Sequence, residues 1–201
     1  MKTKQILHLS LLCMALIAAL SAGFMSCTDT ASPDDTKQMA ENSNDAKLNN
    51  ERKEKDAQFL VDATELNLQE IKLGQLAQQY STNKEVQHLG EMMEDAHTIF
   101  LIEITELART KKVTVPTALT DNGQKAYDLL SKKSGINFDR GYCNGAVMHH
   151  EEAIKKFETT AKESTDEQLQ TWTVNTLRNL RMRLDHAKTC KNNCDQMDPK
   201  K

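Results

Sequence analysis

Apolar residues in this chain recur at alternating steps of four and three, a spacing that suits a helix packed along its whole length against other helices. Phe59, Ala63, Leu66, Glu70, Leu73, Ala77 and Tyr80 form one such stripe, and Val86, Gly90, Met93, His97, Phe100, Ile104 and Leu107 form a second. A third runs through Cys143, Val147, His150, Ile154, Phe157 and Ala161, and a fourth through Leu169, Thr173, Leu177, Leu180, Leu184 and Ala187. The first three each carry one ionisable residue near the midpoint: Glu70, His97 and His150. A carboxylate in a core position is costly unless something pairs with it, so its partner must come from another helix.

The spacing predicts helices over about 56–80, 85–111 and 138–162, with a fourth after Ser164-Thr165. Thr82 with Glu85, and Ser164-Thr165 with Glu167, read as capping boxes. With 7 Gly, 3 Pro and 4% aromatic residues, the chain lacks the turn punctuation of a β-sandwich and should be all-α. The tight turn after Tyr80 makes the first two helices antiparallel and brings Glu70 and His97 to within roughly 5 Å in height. Residues 112–137 form a much longer connection, with Pro116, a short helical piece near 121–133, and Gly135. The fold expected is a ferritin-like four-helix bundle whose long connection, between helices two and three, carries a short extra helix. An up-down-up-down bundle with a decorated loop is the alternative.

The N-terminus reads as an export signal. Lys2 and Lys4 precede an apolar run, Ile6 to Leu20, that is short for a membrane span and is followed by small residues. Phe24-Met25-Ser26-Cys27 resembles the lipobox of bacterial lipoproteins, in which the cysteine becomes the acylated first residue. Residues 1–26 are therefore expected to be a signal peptide, 27–55 a flexible polar tether, 56–191 the bundle and 192–201 a disordered tail. Cys27 would hold the protein to a membrane through its lipid. The chain carries 26 basic and 29 acidic residues, and removal of the signal takes away two of the basic ones, Lys2 and Lys4. A nucleic-acid partner is excluded, because phosphate binding needs a basic face.

Glu70, His97 and His150 together make a polar layer across the middle of the bundle. Glu94 precedes His97 by three residues, the Glu-x-x-His spacing that lets a carboxylate and an imidazole share one metal in helical bundles. One reading is a metal site of Glu70, His97 and His150, completed by Glu94, His149 or His186 and suited to zinc, iron or manganese. Val147 occupies the position a second Glu-x-x-His motif would need, so the di-iron pattern is incomplete. The other reading is a buried network in which Glu70 accepts from His97 or His150 and pairs with Arg183. Cys143 should pair with Cys190 or Cys194, because the hairpin of helices three and four brings them to similar heights in an oxidising compartment. Cys190 with Cys194, or a metal site of Cys143, His186 and Cys190, are the alternatives. No G-x-S-x-G, P-loop, H-E-x-x-H or Rossmann fingerprint is present.

Phe59-Leu-Val-Asp-Ala, Glu70-Ile-Lys-Leu-Gly74-Gln-Leu-Ala77, Met92-Met93 before His97, Pro116, Phe138-Asp139 before Tyr142, His150, and Leu180 to Ala187 together resemble the domain of unknown function 4142 family, over about 58–188. The resemblance implies a ferritin-like four-helix fold, a place in the cell envelope or outer membrane, and Glu70, His97 and His150 at the family's polar positions. It implies no reaction. Ala96 and His149 stand where the family usually has Asp before each His, and Arg183 where it usually has a His. Arginine has no lone pair for a metal. The expected function is that of a lipid-anchored envelope protein, a non-catalytic binding or structural module, with a metal-binding or metal-dependent redox protein as the alternative.

Overall fold

The computed structural model describes residues 33–48 and 50–197. The expected signal peptide and the acylated Cys27 lie outside them. Among the described residues there are six helices and no strands: α1 (Pro33–Asp45), α2 (Glu51–Tyr80), α3 (Lys84–Thr110), α4 (Asp121–Ser131), α5 (Gly135–Glu163) and α6 (Glu167–Gln196). The protein is all-α, and none of these helices is long and apolar enough to cross a membrane.

The stripes face inward as their period requires. Every member of the α3 stripe is buried, and so are Glu70 at 1% exposure and His150 at 2%. Tyr80 departs from its stripe; it is half exposed and stacks on Phe138, with ring centroids 5.8 Å apart. The helix caps fall one or two residues from their expected places. Asn83 Oδ1 accepts from Glu85 N and Asp166 Oδ1 accepts from Leu169 N, so these two residues cap the helices in place of Thr82 and Ser164.

Two apolar clusters make up the core. One joins the end of α2 (Leu76), the start of α3 (Val86), the start of α5 (Phe138) and the end of α6 (Ala187). The other joins the start of α2 (Leu60), the end of α3 (Ile104), the end of α5 (Phe157) and the start of α6 (Leu169). Membership of these clusters fixes the topology. The starts of α3 and α5 lie at the same end, so these helices run parallel and the connection between them travels the length of the bundle. Its short helix, α4, packs on α2 and α5.

Two boundaries differ from expectation. Residues 33–45, assigned to the flexible tether, form α1 and dock on the bundle. Asn44 makes the contact that composition could not foresee: its Nδ2 donates to Thr114 O at 2.9 Å, and its Oδ1 accepts from Thr114 N at 2.8 Å. Lys37 bridges to Asp62 and Glu65, and Ala40 is fully buried. At the other end α6 continues to Gln196, well into the predicted disordered tail. Cys194 there is fully buried, and Arg140 donates to the carbonyls of Cys194, Asp195 and Met197.

Candidate metal centre

The polar layer lies between the two apolar clusters. Glu70 comes from α2, His97 from α3 and His150 from α5, and one ligand atom from each lies within 4.8 Å of the other two. The imidazoles meet edge to face, with ring centroids 5.3 Å apart.

Each ring is oriented from behind. His97 Nδ1 lies 2.8 Å from Asn67 Oδ1, and Asn67 Nδ2 donates to Ala63 O at 2.6 Å, which fixes the amide so that its oxygen faces the ring. His150 Nδ1 lies 2.8 Å from Ala146 O, a carbonyl that can only accept. Both Nδ1 atoms therefore carry the proton. Burial pushes His97 down to about 3 and lowers His150 as well, so both rings are neutral and each Nε2 holds a free lone pair. Neither Nε2 has a hydrogen-bond partner, and both are buried.

Glu70 is held as a carboxylate. Burial alone would raise it, but a 2.6 Å hydrogen bond from His149 Nδ1 and the positive charge of that ring bring it to about 2. Burial opposes charge on His149 too, and the Glu70 carboxylate overcomes it, so His149 sits above the ordinary histidine value. His149 Nε2 lies 3.3 Å from Gln69 Nε2 and faces a groove of about 370 Å³ between α2 and α5, floored by Phe59, Ala63, Leu66 and Phe157.

The remaining expected members lie elsewhere. Glu94 turns to α2, where Gln75 and Gln78 donate to its two oxygens at 2.8 and 2.6 Å. His186 is exposed. The expected pair of Glu70 with Arg183 is not formed, because His149 takes the carboxylate. The Arg183 guanidinium lies 5.0 Å over the Phe100 ring, and its Nε and Nη1 are buried without partners. Neither His97 nor His150 donates to Glu70, since each gives its proton to a group on the outer side. Sequence reasoning did not find Asn67; its one signal was its place one turn before Glu70 on the same helix face.

A second cluster lies at the end of the bundle where α5 starts and α6 ends. Cys143, Cys190 and Cys194 are all buried, and their sulfurs lie within 4.8 Å of one another. Cys143 Sγ and Cys190 Sγ are 2.8 Å apart as thiols, so the disulfide expected between them is not formed in this structure. The alternative centre of Cys143, His186 and Cys190 is not assembled; Cys194 stands in place of His186.

No curated protein and no solved structure matches the chain. A family model described as a domain of unknown function (DUF4142) matches residues 37–190, from within α1 to Cys190 near the end of α6. The chain belongs to that family.

Proposed function

We propose that this is a lipid-anchored module of the bacterial cell envelope whose ferritin-like bundle holds one divalent transition metal between Glu70 and the Nε2 atoms of His97 and His150. The observation that carries the reading is the pair of buried, unpartnered Nε2 lone pairs facing one carboxylate. Leaving a buried acceptor unsatisfied costs about 1–3 kcal/mol, and here two such acceptors belong to residues grouped with one carboxylate. The outer hydrogen bonds to Asn67 and Ala146 are those that orient metal-binding imidazoles. Ligand atoms at the 4.8 Å limit would place an ion about 2.8 Å from each, so a contraction of under ~1 Å reaches zinc, iron or manganese distances. Two imidazoles and a carboxylate suit these ions. The role is binding; no residue here is assigned to a reaction.

Metal analysis of the protein purified without a polyhistidine tag tests this. We expect about one equivalent of zinc, iron or manganese, lost in E70Q and H97A while helical content is kept. Wild-type protein that stays metal-free when supplied with these salts, with its bundle intact, would end the proposal. Cys27 is the proposed anchor, and C27S should move the protein from the membrane fraction to the soluble one; a variant that stays membrane-bound refutes the anchor.

One observation favours a second reading, a purely polar layer. Arg183 brings two unpartnered donors to the neighbourhood of the two unpartnered acceptors, and its charge lowers the pKa of both imidazoles. R183H separates the readings. With a metal centre it removes a repelling cation and adds an imidazole, so affinity should rise by roughly tenfold or more. With a polar layer it creates no metal site.

A further inference from the structure

The thiol cluster is independent of the Glu/His layer. Cys143 on α5 precedes His150 by two turns, and Cys190 and Cys194 lie one turn apart on α6, packed in the apolar cluster with Leu89, Phe138 and Tyr142. Two of the three sulfurs are already at 2.8 Å, closer than unbonded sulfurs rest and about 0.8 Å beyond a disulfide bond.

We propose that Cys143 and Cys190 are a redox pair that closes to an intramolecular disulfide on reaction with a small-molecule disulfide, leaving Cys194 as a thiol. The geometry selects this pair. Side chains four apart on a helix have Cβ atoms about 5–6 Å apart, beyond the 3.5–4.5 Å that a disulfide spans, so Cys190 and Cys194 join only if α6 unwinds. Cys143 reaches Cys190 across the hairpin with the helices intact.

The roles within the pair are unequal. Cys190 is the sulfur a small molecule reaches first, at 5% exposure against full burial of Cys143 and Cys194, and its hydrogen bond with Cys143 lowers its pKa. Burial pushes Cys194 up to about 11, which leaves it the poorer nucleophile. Cys190, 5% exposed, attacks one sulfur of the small disulfide RSSR, whose S–S bond breaks and whose second sulfur leaves as RS⁻. That thiolate takes the Cys190 proton and becomes RSH. Cys143 then attacks Cys190 Sγ in the mixed disulfide, expels the second RS⁻, and its own proton makes the second RSH. The protein loses two hydrogens and two electrons, and RSSR gains them.

Tryptic mapping tests the pairing directly, because cleavage after Lys191 places Cys190 and Cys194 on different peptides. The full chain is incubated with oxidised glutathione, its remaining thiols are alkylated, and the digest is read by mass. Peptide 141–155 should be linked to 189–191, with the Cys194 peptide, 192–200, alkylated. C194S should give the same link in the same yield, and C143S should stop at glutathione on Cys190. A link from 141–155 to 192–200, a link between 189–191 and 192–200, or alkylation of all three cysteines would overturn the proposal. So would stable glutathione on Cys190 in the wild type.

Discussion

At the residue scale the centre of the molecule is a matter of which nitrogen points where. His97 and His150 each give Nδ1 to an acceptor on their own outer side, and so present Nε2 to Glu70's side of the bundle. This has a consequence for stability against pH. His97, lowered to about 3, resists protonation in the fold while its unfolded counterpart takes a proton below about 6.5, so stability falls with pH between those values. His150 adds to this trend in the same direction, and Glu70, held at about 2 instead of its usual value near 4.5, extends it below pH 4.5. His149 acts oppositely. Its raised pKa gives stability that is present below about 6.5 and is lost as pH rises through its folded value. The positive neighbours of the two buried rings are Arg183 and His149, and the negative one is Glu70. Metal-free protein should therefore be most stable near the ordinary histidine value. Between pH 6 and 4 the slope should be up to about 1.4 kcal/mol per pH unit for each buried neutral imidazole. Urea titrations of wild type and H97Q check it, and the variant should lose about half of the acid-side slope contributed by these two rings; an unchanged slope contradicts the assignment.

At the element scale α2 and α3 cross in close backbone contact at Gly74 and Gly90. A Cβ at Gly74 would lie 2.7 Å from Gly90 O and 3.1 Å from Glu94 N, and one at Gly90 would lie 2.7 Å from Gly74 O. Glycine inside a helix costs about 1 kcal/mol relative to alanine, so both positions give up helix propensity for backbone contact. The atoms they meet are backbone and cannot turn aside. G74A should thus destabilise the protein by about 1–3 kcal/mol despite its better propensity, and should push α3 outward near Glu94, one turn from His97. Denaturant melts measure the first effect, and a stabilised G74A would refute the close crossing. Gly90 was visible as a member of the α3 stripe, but neither glycine's sequence neighbourhood announces the other. A contact between them exists only once the two helices cross.

At the scale of the whole molecule, two hairpins, α2 with α3 and α5 with α6, meet along a polar layer between two apolar clusters, and the long connection returns the chain to the end where α3 began. The thiol pair closes the open end of the second hairpin. If it oxidises, it ties together residues 47 apart, which on the chain-entropy account restricts the unfolded state by about 4 kcal/mol. Oxidised protein should unfold at a higher urea concentration than reduced protein, with that value an upper limit. C143S should gain no stability on oxidation, and equal stability of oxidised and reduced wild type would contradict the clamp.

Much of this was present in the sequence for a physical reason. A helix repeats every 3.6 residues whatever surrounds it, so the steps of four and three determined the four long helices, their inward faces, and Glu70, His97 and His150 at mid-height. The hairpin turn after Glu163 likewise set Cys143 level with Cys190. What the period does not contain is the partner of each side chain. Only the packed structure decided that His149 takes Glu70 in place of Arg183, and that Glu94 turns away to Gln75 and Gln78. Packing also decided that Asn44 docks a polar segment by bonding both backbone groups of Thr114. Those choices depend on groups brought together from far along the chain, where a hydrogen bond is gained or lost within an ångström.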